Sequence, residues 1–127
     1  MEHGKNRNLR NVRLYHIPLF GVVEFTNPDC REIFRSNSLF IGANCRDLVN
    51  TGHGDYTPVF VGDVPRLFTQ GILKLDVAIV QISPADKHGY HSLGPSVDIA
   101  RSALKVAKHL IGLVNPNVPI TFGMIFV

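Results

Sequence analysis

The sequence predicts an α/β fold, a mostly parallel sheet with flanking helices, and three observations carry that prediction. Leu75-Asp76-Val77-Ala78-Ile79-Val80-Gln81-Ile82 is almost unbroken in apolar, often β-branched residues, the pattern of a central strand covered on both faces. Leu110-Ile111-Gly112-Leu113-Val114-Asn115 is a second run of the same kind. Between them Val97, Ala100, Leu104 and Ala107 recur at helical spacing, with Asp98, Arg101, Ser102, Lys105 and Lys108 interspersed. Residues 75–115 therefore read as a βαβ crossover, its helix opened by Pro95 and laid on one sheet face.

The remaining elements follow in chain order. Residues 1–25 form a basic amino-terminal arm with a candidate first strand over 12–19, built on Val12, Leu14 and Tyr15 and stopped by Pro18. Asn27 as N-cap and Pro28 at the first helical position open a short helix through Arg35, with Asp29 at the positive end of its dipole. Ser38 to Gly42 reads as a short buried strand. Asn44 then caps a helix that ends before Gly52. Thr57 to Val61 reads as another strand, followed by a helix from Asp63 to Gln70 with Pro65 in its first turn and Gly71 beyond its end. Strands alternate with helices throughout, without an internal repeat or low-complexity linker.

A chain of 127 residues is long enough for one domain that buries roughly two-thirds of its unfolded surface. No apolar run approaches the roughly 18 residues needed to span a bilayer, so no membrane partner is expected. Lys5, Arg7, Arg10 and Arg13 against Glu2 account for the whole net charge of +3. That confines the basic character to the first residues. With no aromatic interleaving and no second basic stripe, the plainer reading is a solvated arm, and no nucleic-acid partner is expected. Met1 to Arg13 lacks the apolar core of a secretory signal. Cys30 and Cys45, few and far apart, read as thiols in a reducing compartment.

The chemistry-bearing residues gather in Ser83-Pro84-Ala85-Asp86-Lys87-His88-Gly89-Tyr90-His91-Ser92-Leu93-Gly94, the loop at the carboxyl end of the 75–82 strand. Loops there face the ligand crevice in open α/β sheets. Asp86, His88 and His91 carry ligand types suited to zinc or iron, but not at the i, i+4 spacing of a helical metal motif, and no metal is assigned. Asp86 and His88 also suit a second role, satisfying the backbone of a tight turn before Gly89. For His88 the structural and the substrate-facing roles both stand. Ser83 or Ser92 with His88 lacks the Gly-x-Ser-x-Gly setting of a nucleophile. Gly52-His53-Gly54 begins like a dinucleotide fingerprint, yet Thr57 occupies the place of its third glycine. Val77, Ile79, Leu104 and Leu110 read as core.

With that loop placed, the run Leu75 to Asp98 resembles the acetyl-CoA hydrolase/transferase family, the family I CoA-transferases that include acetate and 4-hydroxybutyrate CoA-transferases. The likeness extends through Asn37-Ser38-Leu39-Phe40-Ile41-Gly42-Ala43-Asn44-Cys45-Arg46, Gly54-Asp55-Tyr56-Thr57-Pro58-Val59-Phe60, Asp63-Val64-Pro65-Arg66-Leu67-Phe68 and Val114-Asn115-Pro116-Asn117-Val118-Pro119. It covers most of residues 26 to 119, five pieces in order. The resemblance implies transfer of coenzyme A between an acyl-CoA and a free short carboxylic acid such as acetate, through a glutamate that forms an acyl anhydride and then a glutamyl-CoA thioester. It implies two similar α/β domains with the glutamate on the second and the substrates between them. No resident cofactor is called for, since the coenzyme A thioester is itself a substrate.

This sequence departs from the family pattern at three places. Glu2, Glu24 and Glu32 are its only glutamates, and none lies in anything like the family's glutamate motif. The family's earlier amino-terminal segment is missing. After Asn115-Pro116-Asn117-Val118-Pro119 the chain keeps Thr121 and Gly123 but has Ile120 where relatives have arginine and Met124 where they have aspartate. The expectation is thus a partial amino-terminal CoA-transferase domain over 26–127, with no catalytic residue of its own. Its expected substrate-binding residues are Ser83, Asp86, His88, Gly89, Ser92, Gly94, Asn115, Thr121 and Gly123. Its expected partners are an acyl-CoA, a small carboxylic acid, and either the missing second domain or a full-length homo-oligomer. Two alternatives stand beside transfer: hydrolysis of acetyl-CoA, and a catalytically inactive binding module. The expected compartment is the mitochondrion in a eukaryote and the cytoplasm otherwise, without secretion.

Overall fold

The computed structural model describes residues 9–121 and is an α/β structure in which every paired strand is parallel. The strands fall into two sheets, one in each of two compact units that divide the chain between Val61 and Gly62.

In the first unit, β1 (Val12–His16), β2 (Phe34–Ser38) and β3 (Asp55–Tyr56) lie side by side in sequence order. Val12 pairs with Phe34 and His16 with Ser38, and Asn37 then pairs with Asp55. Strand β1 lies where the alternation of Val12 and Leu14 predicts it. Strand β2 does not occupy Ser38 to Gly42. It begins at Phe34, and the helix expected through Arg35 is a single 3-10 turn at Pro28–Cys30. The inward stripe of β2 explains the shift: it consists of the buried serines Ser36 and Ser38, so the strand is invisible to a search for apolar alternation.

Those serines pack against a buried histidine. The His16 Nδ1 donates to the Ile17 carbonyl at 2.9 Å, which leaves Nε2 to accept the Ser36 hydroxyl at 2.8 Å; the Ser38 hydroxyl lies 3.5 Å from the same nitrogen. The ring also tilts against Phe25, with centroids 5.7 Å apart. Burial pushes the imidazole pKa below its ordinary value, partly opposed by the Ile17 carbonyl. On the opposite face Arg35 forks onto Asp55, Nε to Oδ2 at 3.0 Å and Nη2 to Oδ1 at 2.6 Å, and so joins β2 to β3.

Helix α1 (Ala43–Asn50) ends as expected at Thr51, with Gly52 in the left-handed region at φ +76°. Its start differs from expectation. Gly42 is the N-cap, while Asn44 turns its Nδ2 outward to the carbonyls of Leu19 at 2.8 Å and Gly21 at 3.3 Å. The loop after β1 is held in this way. The strand expected over Thr57 to Val61 is reduced to β3, followed by one bond from the Thr57 N–H to the Ser38 carbonyl. Pro58, with no N–H, stands where the ladder stops. Cys30 and Cys45 are buried thiols.

The second unit begins with α2 (Val64–Thr69), Pro65 in its first turn and Gly71 past its end, as the sequence predicts. Strands β4 (Val77–Ile82) and β5 (His109–Val114) pair from Val77↔His109 to Ile82↔Val114, with α3 (Ala100–Val106) between them in sequence and packed on β4. This is the expected βαβ unit. Gly112 has a steric role in it, because a Cβ there would lie 2.5 Å from the Ile82 Cδ1. Two expectations are corrected. Helix α3 starts at Ala100 rather than near Pro95, since the chain first turns through Gly94 at φ +70° and Asp98 at φ +35°. Strand β4 buries one face, with Ala78 and Ile82, while Val77 is exposed and Ile79 is 61% exposed on the other; Leu110 of β5, registered with Ala78, is also exposed, and Leu104 is half-buried. An apolar run states that a strand is fit for burial, not that both of its faces are covered.

The buried neutral His16 ties stability to pH. Because its pKa is lowered on folding, the unfolded chain binds the extra proton in the window below the ordinary imidazole value, and stability drops as pH falls through that window. Thermal unfolding followed from about pH 7.5 to about pH 5.5 should show the melting temperature falling for the unmodified chain, and His16→Gln should flatten that slope. An unchanged slope in the variant would remove His16 as its source.

Candidate functional site

The site grows from the carboxyl ends of β4 and β5. Ile82 is the last residue of β4, and its carbonyl accepts the N–H of Asn115, the first residue beyond β5. Residues 83–94 and 115–121 therefore leave the sheet from adjacent points. Parallel pairing in this register dictates that both loops share one edge.

The 83–94 loop folds back on itself in two steps. At its base the Ser83 N–H donates to the Ser92 carbonyl and the Ser92 N–H to the Ser83 hydroxyl, both at 2.9 Å, while the Ser83 hydroxyl donates to the Pro84 carbonyl at 2.9 Å. His91 adds a ring Nδ1 bond of 2.8 Å to the Ser83 carbonyl. At its tip the Asp86 N–H donates to the Tyr90 carbonyl at 2.8 Å and the Gly89 N–H to the Asp86 carbonyl at 3.0 Å. Gly89 takes φ +85° to close the turn. The Asp86 Oδ1 accepts the N–H groups of His88 at 2.8 Å and Tyr90 at 2.9 Å. The Tyr90 amide, with the other loop amides, holds the Asp86 carboxyl below the usual carboxylate range.

A second group of bonds ties this loop to the one after β5. The Ser92 hydroxyl, 1% exposed, accepts the N–H of Gly94 at 3.1 Å and the N–H of Thr121 at 3.3 Å, and lies 3.1 Å from the Thr121 hydroxyl. The Thr121 hydroxyl donates to the Gly94 carbonyl at 3.3 Å. Asn115 shapes its own loop, its side-chain oxygen accepting the Asn117 N–H at 2.9 Å and its carbonyl the Val118 N–H at 3.1 Å. Val118 then packs over Gly94 so closely that a Cβ on Gly94 would come 2.7 Å from the Val118 Cγ1.

The residues singled out in the sequence separate by environment. Ser83, Ser92 and Gly94 are buried at the base, Asn115 and Thr121 are half-buried beside them, and His88 and Gly89 stand exposed at the tip with Asp86 half-buried beneath. Gly123 lies outside the described residues. Neither serine hydroxyl is available as a nucleophile, since each is already committed as donor and acceptor. The Asp86 Oδ1 and the His91 Nδ1 bond loop backbone, and among the described residues no group of three metal-ligating side chains comes together. His88 alone of the polar trio keeps its side chain exposed at the tip, while its backbone N–H donates to Asp86.

His16 and Ser36 escaped the sequence reading. They form a hydrogen-bonded imidazole–hydroxyl pair near the carboxyl end of the first sheet, yet both are buried. The one available signal was polar residues at alternate positions of a strand, Ser36 and Ser38, opposite a histidine at the end of another.

A family model described as the acetyl-CoA hydrolase/transferase N-terminal domain matches residues 6–125. The chain is 43% identical over 122 residues to a succinyl-CoA:acetate/propanoyl-CoA:succinate CoA transferase of Fasciola hepatica, covering 96% of this chain and 25% of that protein. It is 42% identical over 124 residues to a 4-hydroxybutyrate coenzyme A transferase of Clostridium kluyveri, covering 97% and 29%. The chain thus spans about a quarter of the length of these relatives. Among solved structures, RipA from Yersinia pestis superposes with a TM-score of 0.80 at 22% identity over 99% of this chain and 31% of its own. A 4-hydroxybutyrate CoA-transferase from Porphyromonas gingivalis gives 0.65 at 23% identity over 99% and 35%. At these identities the two structures speak for the fold.

The two glycines of the loop should respond differently to alanine. Gly89→Ala meets open space and should cost only the backbone strain of a left-handed alanine, about 1 kcal/mol, whereas Gly94→Ala adds the clash with Val118 and should cost about 1–3 kcal/mol more. Urea unfolding followed by circular dichroism checks the order. Equal losses would mean that Val118 does not seat on Gly94.

Proposed function

Since the chain belongs to the acetyl-CoA hydrolase/transferase family, we propose that it serves as part of the first domain of a CoA-transferase that moves coenzyme A between an acyl-CoA and a short carboxylic acid. The observation that carries this reading is the identity above 40% with two CoA transferases across almost the whole chain. In the proposed reaction a glutamate carboxylate outside residues 1–127 attacks the thioester carbonyl, the carbon–sulfur bond breaks, and an acyl-glutamyl anhydride and a CoA thiolate result. The thiolate then attacks the glutamyl carbonyl of the anhydride and releases the first carboxylic acid as its anion. Glutamyl-CoA remains, and the same two steps in reverse with a second carboxylate deliver the new acyl-CoA.

In this scheme the chain contributes the wall of the site rather than its nucleophile. The paired loops at the β4–β5 edge present the exposed His88 and the Asn115 turn toward the crevice where such folds bind ligands. Glu24 is exposed on a 3-10 turn, and Glu32 is exposed and paired with Arg10 at 3.2 Å. Neither has a desolvated setting or a neighbouring cleft group that would make it a nucleophile. These placements also favour a second reading for the isolated 127-residue chain, a binding module without turnover.

The experiment is CoA exchange between acetyl-CoA and succinate, run with the purified 127-residue chain and with a form extended to the length of its curated relatives. The short chain should be inactive and the extended form active. Turnover by the short chain that disappears in Glu24→Gln or Glu32→Gln would overturn the placement of the nucleophile. Release of free CoA by the extended form at the same rate with and without acceptor acid would replace transfer by hydrolysis.

A further inference from the structure

The hydroxyls of Ser92 and Thr121 occupy a position that substrate contact does not explain, and the direction of their bonds can be worked out from the donors around them. The Ser92 oxygen receives two backbone N–H groups, from Gly94 at 3.1 Å and Thr121 at 3.3 Å, which engages both of its lone pairs. Its own proton therefore goes to the Thr121 oxygen 3.1 Å away, and the Thr121 proton goes on to the Gly94 carbonyl at 3.3 Å. The circuit closes with both hydroxyl protons donated and both Ser92 lone pairs used. Beneath it, the Ser92 N–H and carbonyl are bonded to Ser83 at the end of β4. A single buried residue, through its backbone and its hydroxyl, thus connects the end of β4, the 83–94 loop and the segment returning after β5.

We propose that Ser92 and Thr121 are positioning residues, a latch that fixes the two strand-end loops relative to each other and thereby sets where the exposed tip carrying His88 stands with respect to the Asn115–Asn117 turn. This rests on the proposed transferase site, and assigns these two residues a role that does not require contact with the acyl-CoA or the acid. The seat of Val118 over Gly94 gives the latch its fit, because the loops can approach this closely only with glycine at position 94. Both loops descend from adjacent strand ends, so a small loss of registry at the latch becomes a larger displacement at the tip, which is held at its base by Ser83, Ser92 and His91. Misplacement of a positioning loop lowers turnover without removing any reacting group.

Two measurements test the latch. In the 127-residue chain, amide hydrogen exchange should show the N–H groups of Gly94 and Thr121 losing protection in Ser92→Ala while the β4–β5 ladder from Ala78 to Leu113 keeps its own. Retained protection at both amides would overturn the bonding assigned here. In the extended form, Thr121→Val should lower kcat/KM for CoA exchange about tenfold, and Thr121→Ser, which keeps the hydroxyl, should restore it to within about twofold. Equal activity of the valine and serine variants would reduce the pair to packing, whatever their melting temperatures. Absence of exchange in the unmodified extended form would instead count against the transferase reading, and the exchange protection of Gly94 and Thr121 would still decide the latch.

Discussion

The parallel registry of β4 with β5 is the constraint on which the site depends. Pairing Ile82 with Val114 sends two loops out from neighbouring points of one sheet edge. Parallel strands cannot be joined by a tight turn, so the chain must cross over through α3 before it returns, and the loops that meet are more than twenty residues apart in sequence. That separation is why the edge needs its own bonds. The Ser83–Ser92 pair closes the first loop and the Ser92–Thr121 pair joins it to the second, beside Gly94, where Val118 seats. The glycines and serines here form one arrangement: small residues admit the neighbouring chain, and hydroxyls satisfy the backbone groups that burial would otherwise leave unpaired.

The first unit resolves a related problem with a different inventory. Its strands are parallel, yet its inward stripe carries His16, Ser36 and Ser38 among apolar residues such as Leu39 and Ile33. A buried imidazole is tolerable when each nitrogen has a partner of the right kind, and here a carbonyl takes the Nδ1 proton while a hydroxyl reaches Nε2. The arrangement resembles a nucleophile and its base only in its distances. Burial on all sides makes it a core polar pair.

Much of the second unit was legible in the sequence. Two apolar runs flanking a helical periodicity specify a βαβ unit, because that pattern has few other low-energy solutions, and α2 was legible through Pro65 and Gly71. The exact start of α3 was not, since Pro95 suits either a helix start or a turn and the left-handed Asp98 favours the turn. In the first unit β2 was displaced in the reading by the apolar run Leu39-Phe40-Ile41, whereas pairing with β1 selects the polar run before it. Asn44 misled in the same way: its side chain can cap a helix or hold a distant loop, and only tertiary structure chooses between them. Of the candidate site, the loop was legible from its place at a strand end, but the division of its residues into a buried base and an exposed tip was not. Ser92 and His88 look equally polar in sequence, but His88 stands in the turn closed by Asp86 and Ser92 lies at the loop base against Thr121.

That division limits the chemistry available to the chain. A hydroxyl becomes a nucleophile when a base can take its proton and a substrate can approach its lone pairs; the Ser92 oxygen offers neither, because its proton is held by Thr121 and its lone pairs by two amides. Ser83 is excluded by the same accounting. Asp86 is drawn into the turn, and the amides around it favour its charged form, which suits a structural anion and weakens it as a proton donor. What remains exposed at this edge is the tip with the side chains of Lys87, His88 and Tyr90 and the outer surface of two fixed loops. Such an edge can recognise and orient a substrate while the bond-making carboxylate comes from elsewhere, which is the division of labour that the transferase reading requires.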